Sequence, residues 1–124
     1  MVVEKVRERT HKHTISFKNA FAGIFWVLRT QHNFQIHLVA TFVVLILAAI
    51  LGLSVLEFTI LVVAIVLVWV AEMINTAIES MTDLIYETHH VRAKVAKDVS
   101  AGMVLVTVIG AIILAALIFL PHII

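Results

Sequence analysis

The chain has no cysteine, which excludes disulfides, thiolate metal ligands and a cysteine nucleophile, and leaves the redox compartment open. It has one proline and four glycines. No segment repeats and none is of low complexity. Charge is scarce: Asp, Glu, Lys and Arg make up 14% of the residues, whereas 62% are hydrophobic and the mean hydropathy is +1.10. Soluble domains hold roughly 45–50% apolar residues, so this composition indicates a membrane protein. Within 124 residues there is room for one domain of a few spans and for no separate soluble module. Any chemistry must then be built from the spanning helices and their ends. The net charge of +1 says little, and nucleic acid is not an expected partner.

Two nucleotide-binding patterns are also missing. Neither GxxxxGK[ST] nor GxGxxG occurs, which excludes a P-loop or protein-kinase type of site. No short apolar core with a small-residue cleavage site precedes the first long apolar run, so no signal peptide is expected.

What is present is a set of runs long enough to cross a bilayer, which takes about 20 apolar residues. Residues 38–56 (LVATFVVLILAAILGLSVL) and 99–120 carry no charge, and a third run begins at Phe58 and grades into a polar stretch. The expectation is an all-α membrane protein of one domain, 1–124, with spans over 38–56, 58–86 and 97–120, the last stopped by Pro121. Residues 1–37 form a cytoplasmic segment. In it Phe17, Phe21, Ile24, Phe25 and Leu28 share one helical face, with Ser16, Lys18 and Asn19 starting the other. That is the pattern of an amphipathic helix lying on the membrane surface. All nine Lys and Arg fall before the first span or between the second and third, which places the N-terminus and that loop in the cytoplasm.

The polar stretch is AEMINTAIESMTD, residues 71–83. At about 100° per residue, Glu72, Asn75, Glu79 and Asp83 fall on one stripe of the second spanning helix. Glu72 lies inside the membrane, in its cytoplasmic third. A carboxylate there is unfavourable by a few kcal/mol and usually marks a functional path. Asn75 alone is as readily a helix-to-helix hydrogen bond, and Glu79 and Asp83 alone would be a solvated helix end; alignment with Glu72 is what raises them. Lys97 and Asp98 open the third span as a pair that would ordinarily cap a helix. The intervening loop returns them to the same membrane face. Carboxylates and a lysine gathered there suit magnesium with nucleotide phosphates.

The pattern Glu72-Met73-Ile74-Asn75-Thr76-Ala77-Ile78-Glu79-Ser80-Met81-Thr82-Asp83, followed by Ala96-Lys97-Asp98-Val99-Ser100-Ala101-Gly102, resembles the bacterial integral-membrane diacylglycerol kinase family. Asn33-Phe34-Gln35-Ile36-His37-Leu38 and Glu87-Thr88-His89-His90 are similar to its Gram-positive branch, whose members are often undecaprenol kinases. The resemblance implies a homotrimer in the cytoplasmic (inner) membrane, with active sites between subunits that phosphorylate a lipid alcohol, undecaprenol or diacylglycerol. ATP would be the donor and Mg2+ the cofactor.

By the same resemblance Glu72 is the general base, Asn75 positions the phosphate or the base, and Glu79 binds magnesium. Lys97, Asp98, Glu87, His89, His90 and, more loosely, Lys12 contact the nucleotide, with Asp83 in support. One position departs from the pattern: Gln31 stands where the family usually carries a second metal-binding glutamate. An amide keeps an oxygen ligand and removes a charge, and His32 beside it is no substitute, because magnesium prefers oxygen.

Competing classes are a small proton-coupled transporter, which needs Glu72 but not the carboxylates and lysine at one face, a degenerate paralogue, and a non-catalytic assembly subunit. The small-residue ridge Thr107, Ala111 and Ala115 has the spacing of a close helix contact and is assigned to an oligomer interface.

Overall fold

The computed structural model describes residues 16–124 as four helices: α1 (Phe17–Thr30), α2 (His32–Leu51), α3 (Val55–Ile85) and α4 (Val91–Ile123). Lys12 lies outside the described residues. The last three helices are long and apolar enough to cross a membrane.

Ser16 caps α1 by accepting a hydrogen bond from Asn19 N (3.3 Å). The apolar face of α1 meets little protein: Phe17, Phe21, Phe25 and Trp26 are exposed and only Val27 is buried. The helix stops at Gln31, whose extended backbone (φ −97°, ψ 106°) both ends α1 and starts α2. The first spanning helix therefore begins at His32 rather than at 38. No glycine or proline marks the break, which is why the apolar pattern alone set the boundary late.

Gly52 closes α2 in the left-handed region (φ 66°), a conformation that glycine adopts without a Cβ clash. Ser54 then opens α3 through a capping box with Glu57, so a three-residue turn reverses the chain. The 31 residues of α3 reach about 46 Å at 1.5 Å per residue, more than a bilayer core of about 30 Å needs. Its last turns therefore stand clear of the apolar layer, and these are the turns that carry Glu79 and Asp83.

The polar segment after α3 is mostly helix rather than loop. Only Tyr86–His90 is irregular, and α4 starts at Val91 with His90 as its cap. Lys97 and Asp98 thus lie inside α4 and cap nothing. At the far end α4 runs through Pro121 to Ile123: a proline removes one helical donor, and this close to a terminus little helix remains to be broken.

The main packing runs along α3 and α4. Buried Ala48, Leu61, Ile118 and Phe119 form a core at the end away from the polar stripe. Beside it, Glu57 Oε2 accepts from Ser54 N (2.8 Å) and lies 3.7 Å from His122 Nε2. Helix α2 docks on α3 through Phe34 against Trp69 (ring centroids 5.6 Å apart). Trp69 Nε1 donates to Thr41 Oγ1 (3.1 Å), which donates to the His37 carbonyl (2.8 Å). Ala111 and Ala115 line a cavity of about 140 Å³ shared with Ala40, Thr41, Leu61 and Ala64. Ala111 and Ala115 face the chain's own α2 and α3 across this gap.

Candidate active site

The stripe on α3 is polar from buried to exposed. Glu72 is 3% exposed and Asn75 7%, Glu79 is half-buried and Asp83 is exposed. The gradient follows the helix out of the apolar layer, so one face presents a buried carboxylate and, two turns later, an accessible one.

Glu72 is not alone. His37 Nε2 of α2 lies 3.0 Å from its Oε1; facing a carboxylate, that nitrogen carries the proton and donates. Thr76 Oγ1 donates to the Glu72 carbonyl (2.9 Å) within the helix. The pair opens on a groove of about 340 Å³ whose other walls are Asn33, Ile36, Ala101, Val104, Leu105 and Val108. A buried carboxylate and a half-buried imidazole thus border an apolar trough.

Asn75 links the two levels of the stripe. Its Oδ1 accepts from Ser100 Oγ of α4 (2.7 Å), and its Nδ2 donates to Glu79 Oε1 (3.3 Å). Ser100 is also 2.9 Å from the Lys97 carbonyl and is 3% exposed.

Beyond Glu79 lies a second, polar hollow of about 360 Å³, lined among others by Asp83, Glu87, His89, His90, Lys97 and Asp98. Lys97 Nζ donates to Asp83 Oδ1 (2.8 Å), and Lys94 pairs with Asp98 one turn along α4. His90 is largely committed to structure: its Nδ1 accepts from Arg92 N (3.2 Å) and its ring stacks on Tyr86 (4.3 Å).

The structure therefore brings together Glu72, Asn75 and Glu79 as one hydrogen-bonded face, and Asp83, Glu87, His89, His90, Lys97 and Asp98 as one hollow. It does not join Gln31 to either: its Nε2 donates to Thr30 Oγ1 (3.1 Å), and among the described residues it makes no hydrogen bond to Glu79. Among the described residues no group of three or more His, Asp or Glu is set to hold a metal ion by itself. The residues that sequence reasoning missed are His37, noticed only as part of a pattern, and Ser100, a variable place in another. A histidine just inside an apolar run was the available signal for the first, since ionisable groups in spans are rare.

The chain matches the family described as prokaryotic diacylglycerol kinase over residues 18–119. It is 41% identical over 115 residues to an undecaprenol kinase of Bacillus subtilis (strain 168), covering 93% of this chain and 94% of that protein. It is 38% identical over 108 residues to a diacylglycerol kinase of Synechocystis (strain PCC 6803), covering 86% of this chain and 62% of that longer protein. The chain belongs to the prokaryotic diacylglycerol kinase family and is a membrane-embedded lipid kinase.

Proposed function

We propose that the protein transfers the terminal phosphoryl group of magnesium-ATP to the hydroxyl of undecaprenol, in preference to diacylglycerol, at the cytoplasmic face of the inner membrane. The observation that carries this reading is buried Glu72 on the wall of an apolar groove, on the same helical face as accessible Glu79. A lipid alcohol has one reactive oxygen and a long apolar body; it needs one base where its hydroxyl ends and an apolar bed behind it.

Glu72 takes the hydroxyl proton as the lipid oxygen bonds to the γ-phosphorus and the bond to ADP breaks. His37 occupies Oε1, so Oε2 is the oxygen that meets the hydroxyl. Asn75, held by Ser100, keeps Glu79 facing the phosphates. Lys97, Asp98, Glu87 and His89, and Lys12 from the N-terminal segment, bind the nucleotide, with Asp83 setting the Lys97 ammonium. His90 contributes by starting α4 rather than by direct contact.

Magnesium accepts one or two carboxylates with phosphate oxygens and water completing its shell. Glu79 would hold such an ion as it arrives with the nucleotide, and Gln31, whose side chain is turned to Thr30 within the chain, would have to leave that contact to add its amide oxygen. When bound it would neutralise charge on the transferred group.

The distribution of Lys and Arg supports a cytoplasmic N-terminus and α3–α4 turn, with α1 along the membrane surface. A homotrimer is the assembly implied by family resemblance. The many exposed apolar residues of α2, α3 and α4 leave faces for neighbours as well as for lipid. Undecaprenol is favoured by similarity to the Bacillus undecaprenol kinase along nearly its whole length.

The test is transfer of labelled phosphate from magnesium-ATP to undecaprenol and to diacylglycerol in the same detergent. Faster turnover on undecaprenol is expected. Preference for diacylglycerol would overturn the acceptor, and transfer to neither would overturn the reading of the site.

A further inference from the structure

We propose that His37 is a positioning residue for the lipid kinase reaction: it fixes the Glu72 carboxylate so that one oxygen faces the acceptor groove. The inference rests on Glu72 being the base, as argued above.

The geometry is specific. His37 and Glu72 come from different helices, 35 positions apart in sequence, and meet where the side chain of Glu72 is 4% exposed and that of His37 20%. A glutamate has three side-chain torsions, and a base that swings among rotamers spends little time aimed at a hydroxyl. The hydrogen bond to Oε1 removes that freedom. The backbone that carries His37 is docked on α3: its carbonyl accepts from Thr41, Thr41 accepts from Trp69, and Trp69 packs on Phe34.

The remaining walls of the groove are Asn33 from α2 and apolar residues from α2 and α4, so among the described residues no second cation or acid lines it. His37 also borders the apolar cavity between the helices. It therefore stands at the junction between the trough for the reacting end and the apolar space behind it. An imidazole suits this place: through Nε2 it gives one directed hydrogen bond to the carboxylate and leaves the other oxygen free.

The reaction itself is unchanged: the hydroxyl O–H breaks, the proton goes to Glu72 Oε2, the new P–O bond forms and ADP leaves. His37 touches neither substrate and acts only through Glu72.

The side chains that could replace it separate this role from plain packing. The amide nitrogen of glutamine reaches about where Nε2 stands, whereas that of asparagine stops near Nδ1 and leucine has no donor. The experiment compares His37→Gln, His37→Asn and His37→Leu with the unaltered protein, using magnesium-ATP and undecaprenol in detergent, beside the nucleotide-induced thermal shift.

Measurable transfer by the unaltered protein tests the kinase reading independently of His37. The expected result is kcat lower by at least about tenfold in His37→Leu and His37→Asn. His37→Gln should recover most of it, with KM for ATP and the thermal shift little changed throughout. Wild-type kcat in His37→Leu would overturn the proposal. So would equal losses in all three variants with the thermal shift intact, which would make the ring's shape, not its donor, the essential feature.

Discussion

Ser100 Oγ donates to Asn75 Oδ1 at 2.7 Å, and this bond joins the two longest helices where the buried part of the polar stripe meets its accessible part. The amide's orientation follows from Glu79: its carboxylate only accepts, so Nδ2 is the end of Asn75 that meets Oε1, and Oδ1 is left facing Ser100. Ser100 thus anchors on α4 the amide that lies beside Glu79.

Replacing Ser100 by alanine should therefore affect more than stability. A hydrogen bond between membrane helices is worth about 0.6 kcal/mol on average, a loss visible as a small drop in melting temperature. Asn75 would also be free to rotate, and Glu79 would lose its fixed neighbour. The expected outcome is a KM for magnesium-ATP raised about threefold, the same free energy expressed as binding, with KM for the lipid unchanged. Steady-state kinetics with each substrate varied in turn checks this. A change in lipid KM alone would place Ser100 in the acceptor groove instead.

The two carboxylates on either side of Asn75 should separate cleanly. Glu72→Gln keeps the hydrogen-bonding shape and, if Glu72 is the base as proposed, removes it, so transfer should fall by about 10²–10⁴-fold while the nucleotide-induced thermal shift survives. Glu79→Ala should lose the shift itself if, as proposed, its carboxylate meets the metal–nucleotide complex. Near-normal turnover in the first variant would make Glu72 structural; an unchanged shift in the second would take Glu79 out of the nucleotide site.

How much of this could be seen in the chain follows from how local each feature is. Two spans are written in uncharged runs and the other in an apolar run that grades into polar residues, and the stripe Glu72–Asn75–Glu79–Asp83 follows from the rotation per residue of one helix. Both need only neighbours in sequence. The break at Gln31 was not legible, because an extended residue between two good helix formers has no breaker to announce it. The His37–Glu72 contact depends on how α2 and α3 are rotated against each other, which single-helix periodicity does not set. Ala111 and Ala115 show the same limit: their spacing reports small residues at a helix contact, but not that α2 and α3 lie across the gap they line.

Lys97 offers a way to tell a binding role from a structural one. Its ion pair with Asp83 lies at the surface, with side-chain exposures of 38% and 67%. Exposed pairs contribute between about 0 and 1 kcal/mol, so Lys97→Met should barely move the melting temperature. If the ammonium serves the nucleotide, KM for ATP should rise by about tenfold or more, because a charge-assisted hydrogen bond to phosphate is worth about 1.5–3 kcal/mol. The two measurements together decide: a large fall in stability with unchanged KM would make the pair structural.

Gln31 is where the departure from the family pattern becomes measurable. Its Nε2 donates to Thr30 Oγ1, and that hydroxyl donates onward to the Trp26 carbonyl at 2.7 Å. A carboxylate at 31 has no proton to give Thr30, whose own proton is already engaged, so Gln31→Glu should release the side chain from this contact. Little stability is lost, since the bond is exposed and water replaces it. The freed carboxylate would then supply the charge that an amide lacks. A second carboxylate neutralises magnesium where the amide offers only a dipole. The expected outcome is a lower half-saturating magnesium concentration in Gln31→Glu, with higher turnover at limiting metal and nearly equal turnover at saturation. A magnesium titration of both forms at fixed ATP checks this. Superimposable curves would mean that position 31 does not face the metal in the assembled protein, and that Glu79 holds the ion with phosphate and water alone.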